Sequence, residues 1–387
     1  MPATRSHHPR RAIVIGGSLG GLFAGNLLHA AKWDVELYER SAHDLDSRGG
    51  GIVLQPEVVE ALRQSGRELP LGELGVRSEY RTVFRPDGSI RSHLYMPQVQ
   101  TSWSLLYTTL RDAFGPEHYH RGQTLAGIDQ SEPGSVSAVF DSGHQAQAQL
   151  LLGADGGSST VRRLLWPDSQ PSYAGYVAWR GLVPEHAVPA EVRNELFGTF
   201  GFANHQGSHI LGYLVPGTDN DLRPGHRLYN WVWYRVAPLD ILPRIMTDAD
   251  GRERGFSVPE GRLAPAWRDY LIEQAEALLP PQFRAVVQAT QAPFVQAIRD
   301  LAVEQMVERR VVLLGDAAAI PRPHTAASTS KAATNALALA AALRTFPNDL
   351  ERALRSWQPA QLALGQRLRR QGTQIGNHLL FNQAPSA

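Results

Sequence analysis

Short apolar runs punctuate the chain, and three of them stop at a glycine. Ala12-Ile-Val-Ile15 reads as a buried strand followed by Gly16-Gly-Ser-Leu-Gly-Gly21, with a helix expected from about residue 22 to 31. Trp33-Asp-Val-Glu-Leu-Tyr38 reads as a second strand, ending at Glu39. Far downstream, Leu150-Leu-Leu152 runs into Gly153-Ala-Asp-Gly-Gly-Ser-Ser-Thr-Val-Arg162, and Val311-Val-Leu-Leu314 runs into Gly315-Asp-Ala-Ala318. Continuous apolar runs of this length suit the buried strands of a parallel sheet.

Elsewhere the period is two. Strand-like segments 81–84 and 90–95 flank Pro86-Asp-Gly-Ser89, and 136–140 and 145–149 flank Asp141-Ser-Gly143, so each pair predicts a hairpin. From 173 to 236 strands dominate, among them Tyr176-Val-Ala-Trp-Arg180, His209 to Val215 and Asn230 to Val236. Residues 260–290 and 331–377 are rich in Ala, Leu, Gln and Arg and predict helices.

Composition then narrows the chemistry. At 387 residues two intimately packed domains are expected. Lys+Arg 38 against Asp+Glu 37 leaves a net charge of +1, which argues against a nucleic-acid partner. With no cysteine, disulfides and thiolate chemistry are excluded; redox chemistry has to come from a bound cofactor, and a cytoplasmic location is expected. Met1 to Arg11 is expected to be a disordered tail, because the apolar run after it is too short for a signal peptide. The apolar run 336–343 falls short of the roughly 20 residues that span a bilayer, so no membrane association is expected. His7-His8 lies in the tail, no His/Asp/Glu set has metal-ligand spacing and no G-x-S-x-G elbow occurs, so no metal and no hydrolase triad are assigned.

The first turn has a physical reading of its own. Glycines let the backbone turn tightly and approach a pyrophosphate at the N-terminus of the next helix, and Glu39 lies at the offset where a carboxylate accepts from an adenosine ribose. Ser18 stands where G-x-G-x-x-G has its second glycine; its hydroxyl can donate to a phosphate oxygen. A ligand-free strand-to-helix corner is the alternative for this segment alone.

With the two later strand-Gly-x-Asp turns added, residues 11–370 resemble the single-component, FAD-dependent aromatic hydroxylases of the p-hydroxybenzoate hydroxylase type. The dihydroxypyridine hydroxylase subgroup is suggested by Gly16-Gly-Ser18, Gly50-Gly-Ile-Val-Leu-Gln-Pro-Glu57, Tyr173-Ala-Gly-Tyr-Val-Ala-Trp-Arg-Gly181 and Gly315-Asp-Ala-Ala-Ala-Ile-Pro-Arg-Pro-His324. Tyr107 shares with that subgroup a departure from the arginine of many relatives.

The resemblance implies an α/β (α+β) fold: a Rossmann-like FAD-binding domain of the glutathione-reductase type, an inserted β-sheet substrate domain and a C-terminal helical region. The boundaries expected are 11–75, 101–172 and 294–345 for the cofactor domain, 76–100 and 173–293 for the substrate domain, and 346–387 for the terminal helix and tail. It further implies tight, non-covalent FAD held by Gly16, Ser18, Leu19, Gly21, Glu39, Arg40, Gly51, Leu125, Asp155, Arg162, Asp316, Pro323, Ala326, Ala327 and Ser328. Asp155 would fix its turn through backbone hydrogen bonds, while Arg162 could face a phosphate or stabilise the fold. Asp316 resembles the aspartate that accepts from the FAD ribitol, and the segment ending at Pro323 and His324 should pass beside the isoalloxazine.

This last motif departs most from the family. Gly-Gln-Gly reads Ala326-Ala-Ser328, a frequent histidine is Ala319, and the later Asp-Ala is Asn335-Ala336. Ser328 is expected to cap the following helix. NADH or NADPH would serve as transient co-substrate with O2, since no second nucleotide turn is evident. The resemblance implies that reduced flavin forms a C4a-hydroperoxide that hydroxylates a small electron-rich aromatic substrate, a hydroxylated pyridine in this subgroup. A homodimer is left open.

His324 and Pro323 are the catalytic candidates, with a water chain as alternative base and loop stabilisation as an alternative role for His324. Tyr213, Trp231 and Trp233 are candidates for the substrate pocket, the last two alternatively sheet core. Two further outcomes stay open: hydroxylation of a larger polycyclic or quinolone-type compound, and flavin binding with little or no turnover.

Overall fold

The computed structural model describes residues 10–45 and 50–383. The predicted tail falls for residues 1–9, His7 and His8 included, outside the described residues; Arg10 and Arg11 are not tail but the first residues of a strand. In chain order the elements are β1 Arg10–Ile15, α1 Leu19–Ala30, β2 Trp33–Glu39, β3 Gly51–Val53, α2 Pro56–Gln64, β4 Val76–Phe84, β5 Ile90–Ser102, α3 Trp103–Phe114, β6 Tyr119–Arg121, β7 Leu125–Asp129, β8 Val136–Phe140, β9 Gln145–Ala148, β10 Leu150–Gly153 and α4 Thr160–Leu165. There follow β11 Ser172–Pro184, α5 Ala190–Leu196, β12 Thr199–His205, β13 Ser208–Val215, β14 Leu228–Val236, α6 Leu242–Ile245, β15 Ser257–Val258, α7 Pro265–Leu278, α8 Pro281–Ala289, β16 Phe294–Ala302, β17 Val307–Glu308, β18 Val311–Leu313, β19 Ala319–Ile320, α9 Ser328–Thr345 and α10 Leu350–Phe381.

The three apolar runs become neighbours. The first sheet has the order β17-β18-β10-β1-β2-β6, with β18, β10, β1, β2 and β6 all parallel, so the glycine turns after β1, β10 and β18 emerge side by side. Both faces are covered, and the strands are buried almost throughout. The first helix begins at Leu19, earlier than its pattern suggests, because Gly20 and Gly21 are helical here. A Cβ on Gly21 would fall 1.9 Å from the Gly16 carbonyl oxygen, so tight return of the helix over the turn overrides glycine's poor helix propensity.

The second sheet has ten strands, in the order β15-β16-β11-β14-β13-β12-β4-β5-β3, with β19 added on β16. It includes β3 and β16, so the chain returns to the first sheet after residue 302 rather than near residue 294. The hairpin β8–β9 joins β7 in a separate three-stranded sheet.

The two faces of the second sheet differ. One carries Val177, Trp179, Trp231 and Trp233 into an apolar core shared with Leu271 and Ala275 of α7 and Phe283 and Val286 of α8. The opposite face carries Tyr176, Ala178, Arg180, Val232, Tyr234, His209 and Tyr213, as the pairing of β11 with β14 and of β14 with β13 requires.

Helix α10 crosses from the first sheet to that second face. Three glycines let it approach the segment after β18: a Cβ on Gly365, Gly372 or Gly376 would lie 3.0 Å from Ala319 Cβ, 2.9 Å from Arg322 N and 2.7 Å from Tyr176 Oη. Gly372→Ala should therefore destabilise the protein by about 1–3 kcal/mol in urea titration, the clash with Arg322 backbone outweighing about 1 kcal/mol of helix propensity. A variant more stable than the parent would show that the seating of α10 is loose.

Candidate active site

The first turn has the features of a phosphate cradle. A Cβ on Gly16, which has φ 105°, would fall 2.6 Å from the Ala154 carbonyl oxygen, binding the first turn closely to the second. Ser18 is the N-cap of α1 but its side chain makes no capping bond, and no acidic residue lies in the first turn. The orphan N–H groups and the Ser18 hydroxyl are thus both available to an anion. Leu19 is buried behind this end of the helix.

At the end of β2, Glu39 accepts from Gly17 N with Oε2 and from Ser41 N with Oε1, each at 2.8 Å. It holds the nucleotide turn in shape, with a lone pair on each oxygen left over. Arg40 is exposed beside it and forms no ion pair among the described residues. Tyr107, where many relatives carry arginine, joins the same region: its hydroxyl donates to Asp44 Oδ1 at 2.7 Å and lies 3.4 Å from Tyr119 Oη, which donates to the Gly17 carbonyl at 2.9 Å. Leu125 is buried at the start of β7.

In the second turn Asp155 accepts from Ser159 Oγ and from the amides of Thr160 and Val161, fixing the entrance to α4. Burial pushes its carboxyl upward against those bonds. Arg162 is buried and donates to the carbonyls of Ala317 and Gly157, both at 2.8 Å. These bonds clamp the second turn to the third, which is the fold-stabilising one of the two roles expected of Arg162.

The third turn explains the departures from the family pattern. Gly315 donates to Asn335 Oδ1 at 3.0 Å, and Asn335 Nδ2 donates to Gln361 Oε1 at 2.9 Å. An aspartate could accept the first bond but could not donate the second. Ser328 does not cap α9, whose N-cap is Ala327; its hydroxyl donates instead to Asp316 Oδ1 at 2.6 Å. Lys331, buried on α9, donates to the same Oδ1 at 2.7 Å and to the Ala319 carbonyl. Burial pushes Asp316 up, but Lys331 and Ser328 outweigh it and hold the carboxyl below its ordinary value. Oδ2 has no protein donor among the described residues, leaving it free for a ligand hydroxyl. Ala326 takes the left-handed conformation, φ 51°, in place of the family glycine, a strain of about 1–2 kcal/mol. The Pro323 carbonyl accepts from Ala326 N at 2.9 Å.

Beyond this turn the polypeptide meets the second sheet. Arg322 is buried and donates to both oxygens of Asp300 and to Asn377 Oδ1 of α10. Next to it His324 Nε2 lies 2.9 Å from Tyr176 Oη, with ring centroids 4.5 Å to Tyr234 and 5.8 Å to His209. His324 Nδ1 is buried and has no partner among the described residues. Burial pushes His324 down to about 3 and His209 to about 4, so both are neutral near pH 7. Tyr213 faces this side and packs edge-on to Phe200 at 4.7 Å.

Gly50 and the first residue of β3 lie against this face: a Cβ on Gly50 would fall 2.6 Å from Arg180 Nη2, and one on Gly51 2.4 Å from the Tyr213 ring. Gly51 also donates to Asn230 Oδ1 at 3.0 Å. Beside Gly50 a cleft of about 610 Å³ opens between Thr108 on α3 and the 216–220 segment.

Tyr213, His324, Gly51 and Pro323 are thus brought together, whereas Trp231 and Trp233 are not. Both tryptophans are fully buried on the opposite face, their indole N–H groups donating to Thr290 and Ser208, because the alternation that pairs them aims both at α7 and α8. Sequence reasoning missed Tyr176, Tyr234, Arg180 and Lys331; the period-two pattern of β11 could have indicated the first and third once His324 was known to face that strand. Away from this site Asp34, Glu36 and His118 bring one ligand atom each within 4.8 Å of one another, which sequence spacing did not predict; Glu36 is hydrogen-bonded to His118 and His120.

Comparison with known proteins agrees with this geometry. A family model described as FAD binding domain matches residues 10–223, and one described as FAD binding domain-like matches residues 173–300. The 2,6-dihydroxypyridine 3-monooxygenase of Paenarthrobacter nicotinovorans is 38% identical over 359 residues, 92% of this chain and 88% of that protein. The 6-hydroxynicotinate 3-monooxygenase of Pseudomonas fluorescens is 27% identical over 375 residues, 88% of this chain and 83% of its own length. The solved structure of 2,6-dihydroxypyridine-3-hydroxylase from Arthrobacter nicotinovorans matches with a TM-score of 0.91 at 34% identity, covering 97% of this chain and 94% of the other.

Two outcomes are expected here. Lys331→Met removes the cation that holds Asp316, and dinucleotide affinity should fall about tenfold or more in a titration of apoprotein; unchanged affinity would free Asp316 from that dependence. The buried histidines make stability pH-dependent. Unfolded histidine takes up a proton below its ordinary value near 6.5, while folded His324 and His209 do so only near 3 and 4. Their contribution is therefore complete above pH 6.5 and is lost as pH falls from there toward 4 for His209 and 3 for His324. Between pH 6.5 and 5, before the carboxylates take over, unfolding free energy should decline with about one proton of slope per histidine, and His209→Gln should remove one of them.

Proposed function

The chain belongs to the FAD-dependent aromatic-ring monooxygenases, and from that premise we propose that it hydroxylates a small hydroxylated pyridine, using NADH or NADPH and O2. The observation that carries this reading is the junction of the three dinucleotide turns with a buried wall of neutral imidazole and phenol groups on the second sheet. The relatives that share nearly the whole chain act, by their names, on dihydroxypyridine and hydroxynicotinate rings.

Bound FAD supplies the reductive activation of O2. The residues present fit it: α1 N–H groups and Ser18 Oγ could take the pyrophosphate, Glu39 and Arg40 would meet the adenosine, and Asp316 Oδ2 could accept from a ribitol hydroxyl. Pro323 and the turn through left-handed Ala326 lead to the N-terminus of α9, whose N–H groups would favour negative charge on a ring system bound there. Arg162 and Asp155 support this arrangement from behind.

The protein's other tasks are positioning and exclusion of water. Gly50, Gly51, Tyr213 and the His209–His324 wall would enclose the substrate. Neutral histidines can hydrogen-bond a hydroxylated ring without adding charge to the cavity.

Purified protein should carry flavin absorbance that bleaches with NADH or NADPH in the absence of O2 and returns on aeration. A screen of hydroxypyridines, hydroxynicotinates and phenols, with peroxide assayed alongside, should find hydroxypyridines that stimulate NAD(P)H oxidation beyond the peroxide formed. If every stimulating compound gives peroxide alone, hydroxylation is not the activity; if larger polycyclic phenols alone give product, the substrate class is wrong.

A further inference from the structure

We infer that His324 acts as a hydrogen-bond donor whose Nδ1–H receives an oxyanion or carbonyl oxygen of the substrate ring, and that Tyr176 sets the tautomer that makes it one. This rests on the function proposed above and specifies the form in which the substrate is bound.

Tyr176 is fully buried, its hydroxyl lies 2.9 Å from His324 Nε2, and its other polar neighbour, Arg322, can only donate to it. A buried phenol leaves its hydrogen unpaired unless it donates there. The alternative, in which Nε2 carries the hydrogen and Tyr176 accepts, would aim the phenolic hydrogen at nothing. Arg322 reinforces the choice: its guanidinium lies 5.5 Å from the centre of the Tyr176 ring and has donors only, so the hydroxyl dipole turns its oxygen toward the cation and its hydrogen toward His324. Nε2 is thereby the acceptor.

A neutral imidazole then carries its one hydrogen on Nδ1, and neutrality follows from burial. Nδ1 is itself buried and unpartnered among the described residues. The groups that face His324 are Tyr176, Tyr234, His209 and Arg322, and none is a carboxylate that could take this hydrogen. An unmatched buried donor is costly, and an acceptor on the substrate satisfies it. His209 offers the complement: its Nδ1 pairs with Asn204 Oδ1, leaving Nε2 without a hydrogen and able to accept.

This pairing selects a ring bound as its oxyanion or lactam tautomer over a neutral phenol. His324 touches the substrate and is the catalytic residue of the pair; Tyr176 acts through it as a positioning residue. The base that removes the ring proton is then not His324.

The test reads the ligand rather than turnover. 2,6-Dihydroxypyridine is titrated anaerobically into oxidised holoenzyme across pH, and its ultraviolet spectrum reports whether the bound ring is anionic. The bound ring should ionise at least one pH unit below the free ligand, an anion preference of about tenfold or more. His324→Ala should abolish that preference, Tyr176→Phe should reduce it, and His324→Asn, which keeps an N–H near the Nδ1 position, should retain part of it, with flavin content per chain unchanged.

Binding without a pKa change in the parent enzyme overturns the inference, as does a Tyr176→Phe enzyme whose preference is intact. The parent measurement decides even if a variant fails to fold. If 2,6-dihydroxypyridine ionises normally when bound yet still stimulates coupled NAD(P)H oxidation, the proposed function stands and this inference falls; if no hydroxypyridine binds or stimulates oxidation, both fall.

Discussion

The Arg322 guanidinium is the point through which the parts of this molecule are held in register. It comes from the segment that follows the third dinucleotide turn, it grips Asp300 of the second sheet with two nitrogens, and it donates to Asn377 near the end of α10. Its side chain is 6% exposed and that of Asp300 12%. A pair this dry is weak evidence of net stabilisation, but removal of either partner strands a buried charge at a cost of about 3–5 kcal/mol. What it provides is registry. The position of His324, two residues on, depends on it, and so does the approach of α10, which glycines at 372 and 376 make close enough for contact.

The same turn shows how a motif can change letter by letter and keep its geometry. Ser328 and Lys331 donate to one oxygen of Asp316 and leave the other free, and Asn335 joins Gly315 to Gln361. Each substitution considered alone looks like damage: a Cβ where the family has glycine, an amide where it has a carboxylate. Considered together they form a hydrogen-bonded set in which every polar replacement has found a partner, as burial demands. Ala326 is the exception; its left-handed backbone is strain that the neighbouring contacts must sustain.

The cofactor half of the fold was legible because its signals are local. Three apolar runs stopping at glycines are buried strands ending in tight turns, and parallel neighbours in one sheet must present those turns at one edge. The substrate half was legible only as strands. Alternation placed Trp231 and Trp233 on a common face, but a period of two does not say which face meets helices and which meets the site. That depends on where α7 and α8 dock, a long-range choice absent from the local pattern. The boundary expected at residue 294 was not local either: β16 pairs with β11 of the second sheet, a contact absent from its own pattern. Lys331 escaped notice because a lysine on a helix ordinarily reaches water; its burial is a property of Asp316 and Ala319, not of its neighbours in sequence.

Burial does two things to the histidine wall, and they pull the chemistry in one direction. It removes positive charge, since a desolvated imidazole gives up its proton, and it raises the penalty for every hydrogen left without an acceptor, to about 1–3 kcal/mol apiece. A cavity of exposed histidines would discriminate by charge and would do so only in acid. This one discriminates by matching donors to acceptors at any pH above the range in which His209 and His324 titrate. Selectivity for a ring oxygen in its electron-rich form thus follows from the apolar second sheet and α10, whose packing keeps the site dry. Loosening that packing would admit water as a competing partner, and the wall would then lose selectivity before the fold lost stability.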